Sequence, residues 1–380
     1  YSIMFTYILI NIFEYYDTIG YVDISGSFEI TGSAAFLYSS GSVSTAAWST
    51  GGALNNGRKT LGGAGTQNAS LAFGGQTNTI GAGSNGTNCT EEYDGTSWTA
   101  GGALATARYS LGGAGTQNAG LAFGGGCNST YFAYSCTEEY NGTAWSNGGA
   151  LQVARVGAAG AGTQNAALAA GGFVTANPFY NICACTEEYN GTSWSTGGVI
   201  SDPYLTVGWS ATGTQNAALA FGDAYEYQNT TTLEYDGTSW TAGGALNTGR
   251  CGIGAAGTQN AGLAMGGGVS YSCCATEEYN GTSWSTSTSM QSTRGSLAGA
   301  GTQAAGLAFG GENDPVGGGT ITILACTEEY NEGTTAYTPK KSFEYDKSNG
   351  IVILSEVASS SQDYEDDTAA AAGGVPVGGL

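Results

Sequence analysis

The chain has 380 residues, enough for two ordinary domains, and only 10% are charged, with 30 acidic against 9 basic residues and a net charge of −21. So acidic a surface has no positive patch to displace counterions, which argues against nucleic acid and anionic membrane as partners. Histidine is absent, which removes the usual general base, proton shuttle and metal ligand near neutral pH, while 7 Trp, 23 Tyr and 12 Phe set against 66 Gly argue for packing rather than disorder.

Residues 1–13 are apolar but carry no basic n-region and fall short of the ~20 residues that a spanning helix needs. They read as a strand or interface segment, with a signal or membrane anchor as the alternative. Residues 1–43 together are expected to form a strand-rich attachment or interface segment without membrane insertion.

From residue 44 to 337 the chain is a repeat. Gly-Thr-Gln-Asn-Ala-x-Leu-Ala-Phe-Gly-Gly or a close variant appears at 65–75, 115–125, 162–172, 213–223, 257–267 and 301–311. Thr-Glu-Glu-Tyr-Asn-Gly-Thr-Ser-Trp or a variant begins at Thr90, Thr137, Thr186, Thr232, Thr276 and Thr327. Trp48, Trp98, Trp145, Trp194, Trp240 and Trp284 recur 44 to 50 residues apart, close to the ~40–50 residues of one four-stranded propeller blade.

Within a blade, the small residues Leu61-Gly62-Gly63-Ala64-Gly65 suit an innermost strand, where blades crowd the axis. Thr66-Gln67-Asn68 turns the chain into Leu71-Ala72-Phe73, whose large side chains fill the wider space between sheets. Asp94-Gly95 then predicts a two-residue type I′ turn between the third and fourth strands, repeated at Asn141-Gly142, Asn190-Gly191, Asp236-Gly237 and Asn280-Gly281. The same turn chemistry accounts for the sequons at Asn141 and Asn190.

Six copies predict an all-β propeller of six four-stranded blades, closed by the strand around Trp48 lying beside the last blade. The alternative is seven blades, closed jointly by both termini. Residues 334–337 would then supply that outer strand, and a hairpin read at 341–356 (Phe343-Glu344-Tyr345, then Ile351-Val352-Ile353-Leu354) would extend the ring. Residues 338–380 read as this hairpin followed by an acidic, Ala/Gly-rich tail, flexible or ordered by a partner from 359 onward.

All five arginines sit ten residues after a repeat Trp. In the fourth blade Tyr204 takes that place and Leu233 replaces the first Glu, so both charges vanish together. The coincidence pairs Arg58 with Glu91, Arg108 with Glu138, Arg155 with Glu187, Arg250 with Glu277 and Arg294 with Glu328 as structural ion pairs. The second acidic position (Glu92, Glu139, Glu188, Glu234, Glu278, Glu329) faces the other way, for hydrogen bonding to a neighbouring blade or solvation, with a Ca²⁺-binding ring as the alternative.

Cys89, Cys136, Cys185 and Cys326 occupy equivalent blade positions and so do not face one another. Buried thiols are the base expectation, with Cys127–Cys136 and the vicinal Cys273–Cys274 as the candidate bridges. No Cys-x-x-Cys pairs face each other to hold zinc, and no cofactor or metal is expected.

The arrangement of Arg58, the run Leu71 to Gly75, Tyr93 and Trp98, repeated over about three quarters of the chain, resembles the Kelch-repeat β-propeller family. That resemblance implies the fold and leaves the activity open, because Kelch propellers serve as enzymes, adaptors and receptors. The wording of the repeats, with Gly-Ser-Phe-Glu-Ile-Thr-Gly-Ser at 26–33, is also similar to tail-fibre and other virion proteins of marine bacteriophages.

Recognition is expected where blades differ, in the second-to-third-strand loops at 76–88, 126–135, 173–184, 223–231, 268–274 and 312–325. Their aromatics, Tyr131, Phe132, Tyr134, Phe173, Phe179, Tyr180, Tyr225, Tyr227 and Tyr271, lie among Asn, Ser and Thr and suit sugar or protein recognition. The expected function is a non-enzymatic virion structural protein, a tail-fibre or surface-decoration propeller. Its partners would be other virion proteins and a host surface glycan or protein, with the chain a homo-oligomer on the virion surface. A secreted bacterial adhesin or other extracellular structural propeller is the alternative. A Kelch-fold enzyme fits less well, since copper chemistry of the galactose-oxidase type needs His and a sialidase-like site needs clustered arginines.

Overall fold

The computed structural model describes residues 34–43, 46–77, 86–127, 132–176, 179–200, 210–222, 229–268, 272–314, 320–333, 335–346 and 351–355. The expectations for residues 1–13, 26–33 and 359–380 therefore lie outside the described residues. The chain divides into two units, Thr45–Thr334 and a second made of Tyr1–Ser44 with Thr335–Leu380.

The larger unit is a β-propeller of six four-stranded antiparallel sheets. Blade one runs Gly62–Thr66, Ala69–Phe73, Thr90–Tyr93 and Trp98–Ala100 from the inside outward, with each strand hydrogen-bonded to the next. Blades two to five repeat the order with inner strands Gly112–Thr116, Ala159–Thr163, Ser210–Thr214 and Gly254–Thr258. Blade six takes its three inner strands from Ala298–Gly301, Ala305–Phe309 and Thr327–Asn331, and its outer strand, Ala47–Gly51, from the start of the unit. Trp48 pairs with Tyr330 in that strand, as Trp98 pairs with Tyr93 in blade one. The ring thus has six blades, not seven, and residues 335–337 do not supply the outer strand.

Outside blade four, whose inner strand carries Ser210 and Thr212, the inner strands are built mostly of Gly and Ala because little larger fits. A Cβ on Gly62 would stand 2.3 Å from the Phe73 ring, and one on Gly160 would stand 2.2 Å from the Gly113 carbonyl oxygen of the preceding blade. Second strands carry the bulk: Leu71 and Phe73 of blade one pack against Ala122 and Tyr140 of blade two, fully buried. Burying each such side chain contributes about 1.5–3 kcal/mol.

The third-to-fourth turn is not the expected two-residue type I′. Tyr93 pairs with Trp98 across four loop residues, and Asp94 is absent from the described non-glycine residues with positive φ, whereas Gly95 has φ of 89°. Asp94 Oδ1 instead accepts the backbone N–H groups of Thr96 and Ser97 at 2.8 and 2.7 Å. Asn141 does the same with Thr143 and Ala144. Capping by the side chain, not tolerance of positive φ, is what selects Asp or Asn here.

A feature with no counterpart in the sequence reading rings the other end of the inner strands. Thr60, Ser110 and Ser296 hold φ of 50°, 49° and 55°, and Gly157 and Gly252 hold 71° and 59°. These residues join hand to hand across the blades: Ser296 N donates to Gly252 O, Thr60 N to Ser296 O, Ser110 N to Thr60 O and Gly157 N to Ser110 O, at 2.8–2.9 Å. The left-handed backbone at a β-branched Thr is strained by the order of 1–3 kcal/mol, and inter-blade hydrogen bonding holds it there.

The smaller unit is a three-stranded antiparallel sheet in the order Ala34–Val43, Thr335–Asp346, Ile351–Ser355. Ala34 pairs with Tyr345 and Val43 with Thr335, and Phe343 pairs with Leu354 in the C-terminal hairpin.

Candidate functional site

The repeated polar residues are consumed by the scaffold. Each described arginine lies in the connection leading into its own blade and reaches a glutamate on that blade's third strand. The distances are 2.9 Å for Arg58–Glu91, 3.1 Å for Arg108–Glu138, 2.5 Å for Arg155–Glu187 and 2.9 Å for Arg250–Glu277, with Arg294–Glu328 also in contact. All ten side chains are buried. The Arg58–Glu91 contact is a charge approach without hydrogen-bond alignment, and the Nε atoms of all five arginines have no hydrogen-bond partner.

The second oxygen of each glutamate caps the same connection. Glu91 Oε2 accepts from Asn55 N and Nδ2 at 2.7 and 2.8 Å, and Glu138 Oε2 from Ala105 N at 2.7 Å. Burial lowers the pKa of Arg58 and Arg155, opposed first by Glu91 and Glu187, and that of Arg108, opposed first by Cys136 and then Glu138. In blade four, Leu233 packs with Ile200 and Trp240 in place of the ion pair. There Ser210 Oγ donates to Ile253 O, and Thr212 Oγ1 to Gly257 O at 2.6 Å, in blade five. Tyr204 lies outside the described residues.

Three further rings join each blade to the one before it. The second-position carboxylates accept tyrosine hydroxyls: Tyr93 to Glu329 at 2.7 Å, Tyr189 to Glu139 and Tyr235 to Glu188 at 2.6 Å, Tyr279 to Glu234 at 2.5 Å, with Tyr140 to Glu92 and Tyr330 to Glu278 in the same relation. Burial, then the carboxylate partner, pushes Tyr93, Tyr140, Tyr189 and Tyr235 up to about 12 and raises Tyr279 and Tyr330 as well. Each repeat Trp donates its Nε1–H to the first Thr of the preceding blade's third strand, as Trp194 does to Thr137 at 2.9 Å. Each repeat Gln donates to two carbonyls of the preceding blade, Gln164 to Gly120 at 3.0 Å and Tyr140 at 2.7 Å.

The expected inter-blade role of the second glutamates is thus realised, and no group of metal-binding side chains occurs among the described residues. The Gln staple went unread in the sequence, although six Gln at a two-residue turn that does not require Gln was a sufficient signal.

Non-repeating polar contacts occur where blades one and six meet. Lys59 Nζ lies 2.5 Å from Glu312 Oε2, and Ser296 Oγ donates to Glu312 Oε1 at 3.2 Å.

The candidate recognition surface is where the blades differ. In blade two the second-to-third loop is a small hairpin, Gly126–Cys127 with Phe132–Ala133, and in blade three a longer one, Phe173–Ala176 with Phe179–Ile182. The strand Phe132–Ala133 lies against the strand Phe173–Ala176, so the two hairpins adjoin. Phe132 is 64% exposed and Ile182 43% exposed. Phe173 and Tyr134 are half-buried, and Tyr134 is pushed up to about 12, first by its hydrogen bond with Cys127 and then by burial.

Of the loop aromatics, the structure therefore brings Phe132 beside the Phe173 strand and places Phe179 and Tyr180 on that strand's partner. Tyr131, Tyr225, Tyr227 and Tyr271 lie outside the described residues.

The cysteines correct the sequence reading. Neither Cys127–Cys136 nor Cys273–Cys274 is bridged; the disulfide joins Cys183 to Cys185. The other seven are thiols of intermediate exposure rather than buried ones. Cys136 Sγ lies 3.0 Å from Arg108 Nη1; burial pushes the thiol up and the guanidinium opposes it.

No protein-family profile matches the chain, and no curated protein matches it in sequence. Among solved structures, one described as "Structure of YjhT" is similar with a TM-score of 0.56 and 15% identity, over 75% of this chain and 98% of that one. The likeness is one of fold.

Proposed function

We propose that this chain is a non-enzymatic virion structural protein, a tail-fibre or surface-decoration propeller. Its second-to-third-strand loops would bind a host surface glycan or protein, or another virion protein. The observation that carries this reading is the pair of adjoining hairpins of blades two and three, which present Phe132 and Ile182 to solvent. The repeated Arg–Glu pairs are committed to bracing single blades, and the Tyr–Glu, Trp–Thr and Gln–carbonyl contacts to holding blades together. Exposed aromatic and aliphatic side chains on short hairpins suit stacking on sugar rings or seating in a protein groove.

The resemblance of the repeats to marine bacteriophage fibre sequences supports the virion setting, with the chain assembled as a homo-oligomer. A secreted adhesin is the alternative setting for the same surface. A glycan-array screen of the purified chain, paired with one of Phe132→Ala, tests the binding role: glycan signal lost in the variant is expected, and uniform silence leaves only a protein partner, of the host or of the virion. Mass spectrometry of purified particles tests the setting, and absence of the chain from them would remove the virion reading.

A further inference from the structure

Each third strand is entered through two alternating positions. In blade one Thr87 Oγ1 donates to Cys89 Sγ at 3.1 Å, and in blade four Thr231 Oγ1 donates to Asn229 Oδ1 at 2.5 Å, so the two side chains touch. The corresponding residues are Tyr134 and Cys136, Cys273 and Ala275, and Leu324 and Cys326 in blades two, five and six. Blade three alone has cysteine at both, Cys183 and Cys185. Their Cα atoms are 5.1 Å apart, within the span of a disulfide, and the two are bridged.

A buried cation faces this pair. Arg155 Nη1 lies 3.0 Å from Cys185 Sγ and 4.0 Å from Cys183 Sγ, while Nη2 holds Glu187 and Nη1 also donates to Cys185 O at 2.9 Å. Cys183 is only 8% exposed, whereas Cys185 is half-buried. The bridge stands at the foot of the blade-three hairpin, where Cys183 follows Ile182 directly and its N–H bonds to Gly172 O at 2.9 Å.

We infer that Cys183 and Cys185 form a reversible thiol–disulfide exchange site, a redox clasp at the base of the blade-three hairpin, with Arg155 positioning and stabilising the Cys185 thiolate. On oxidation by a small disulfide such as oxidised glutathione, the more accessible Cys185 thiolate attacks one sulfur. It forms a mixed disulfide and releases one glutathione thiolate. Cys183 then loses its proton and attacks Cys185 Sγ, closing the protein bridge and releasing the second glutathione. Two protein thiols are oxidised and one glutathione disulfide is reduced to two thiols; reduction runs the same steps backward. The seven remaining cysteines are not bridged. The clasp does not depend on what the hairpin binds.

The test is to equilibrate the full chain in glutathione buffers from fully reduced to fully oxidised, trap it with N-ethylmaleimide and map the peptide holding residues 183 and 185 by mass. The expected result is reversible conversion between a form carrying two maleimide adducts and an unalkylated, bridged form two hydrogens lighter than the free dithiol. A peptide that keeps one form throughout overturns the proposal. Hydrogen exchange at the Cys183 amide, which bonds to Gly172 O beside the bridge, should quicken about tenfold on reduction, the effect of opening so short a loop in the chain-entropy relation; equal exchange in both states overturns the clasp.

In the Cys183→Ser protein, the pH profile of Cys185 alkylation should move to higher pH on adding Arg155→Gln. An unmoved profile removes Arg155 from the step. Should that variant fail to fold, the glutathione series on the parent chain still decides.

Discussion

The Tyr189 hydroxyl of blade three donates a 2.6 Å hydrogen bond to the Glu139 carboxylate of blade two, and the same bond recurs at every seam of the ring. Folding therefore depends on six tyrosines remaining protonated. Their folded pKa values lie above the ordinary value of 10.0, reaching about 12 at Tyr93, Tyr140, Tyr189 and Tyr235. The stabilisation is fully present below pH 10 and is lost as pH rises through about 12. Denaturant midpoints measured from pH 8 to 12 should hold level to about pH 10 and then fall steeply; a flat profile to pH 12 would count against the seams.

Removing one member of a buried ion pair should be costly. Glu138→Leu leaves Arg108 buried without its carboxylate and strips the cap from Ala105 N, at about 3–5 kcal/mol. Blade four shows that Leu is tolerated at this position when no arginine faces it, so adding Arg108→Met should recover part of the loss. Urea melts of the single and double variants measure both, and a double variant no better than the single would argue that the loss lies in the carboxylate's caps.

Gln164→Ala should unfasten the seam between blades two and three by leaving the carbonyls of Gly120 and Tyr140 without their donor. The expected cost is about 1–3 kcal/mol, read as a lower thermal midpoint with unchanged far-ultraviolet circular dichroism.

Trp48→Ala removes the large side chain that holds the borrowed outer strand of blade six, together with its bonds to Thr276 and the Thr288 carbonyl. A loss of about 3–5 kcal/mol is expected. Hydrogen exchange should quicken first in Ala47–Gly51 and Thr327–Asn331; equal protection of those strands in variant and parent would overturn this.

Much of this was legible because a repeat reports on itself. The coincident loss of Arg and Glu in blade four revealed the ion pairs, and Gly-Gly against Leu-Ala-Phe revealed which strand lies inside. The turn at Asp94 misled because Asp-Gly serves two turn geometries, and only the backbone shows that the side chain is the cap. The strained collar through Thr60, Ser110 and Ser296 was hidden, since Thr and Ser carry no preference for a left-handed backbone and the bonds that hold them cross between blades. The Cys183–Cys185 bridge was missed although the repeat contained it: aligning position 183 with Thr87 and 185 with Cys89 puts both sulfurs side by side.

The origin of the last outer strand sets a schedule for synthesis. Ala47–Gly51 leaves the ribosome early, yet Thr327–Asn331, which it pairs with, follows 280 residues later, counted from Gly51 to Asn331. At about 5–20 residues per second, that strand waits roughly 14–56 s with its edge unsatisfied. Until then the nascent protein is an open arc, with one sticky end still at the tunnel and the other already clear of the ribosome. A neighbouring copy on the same message could supply the missing strand, so the spacing of ribosomes bears on whether rings close on themselves or on each other.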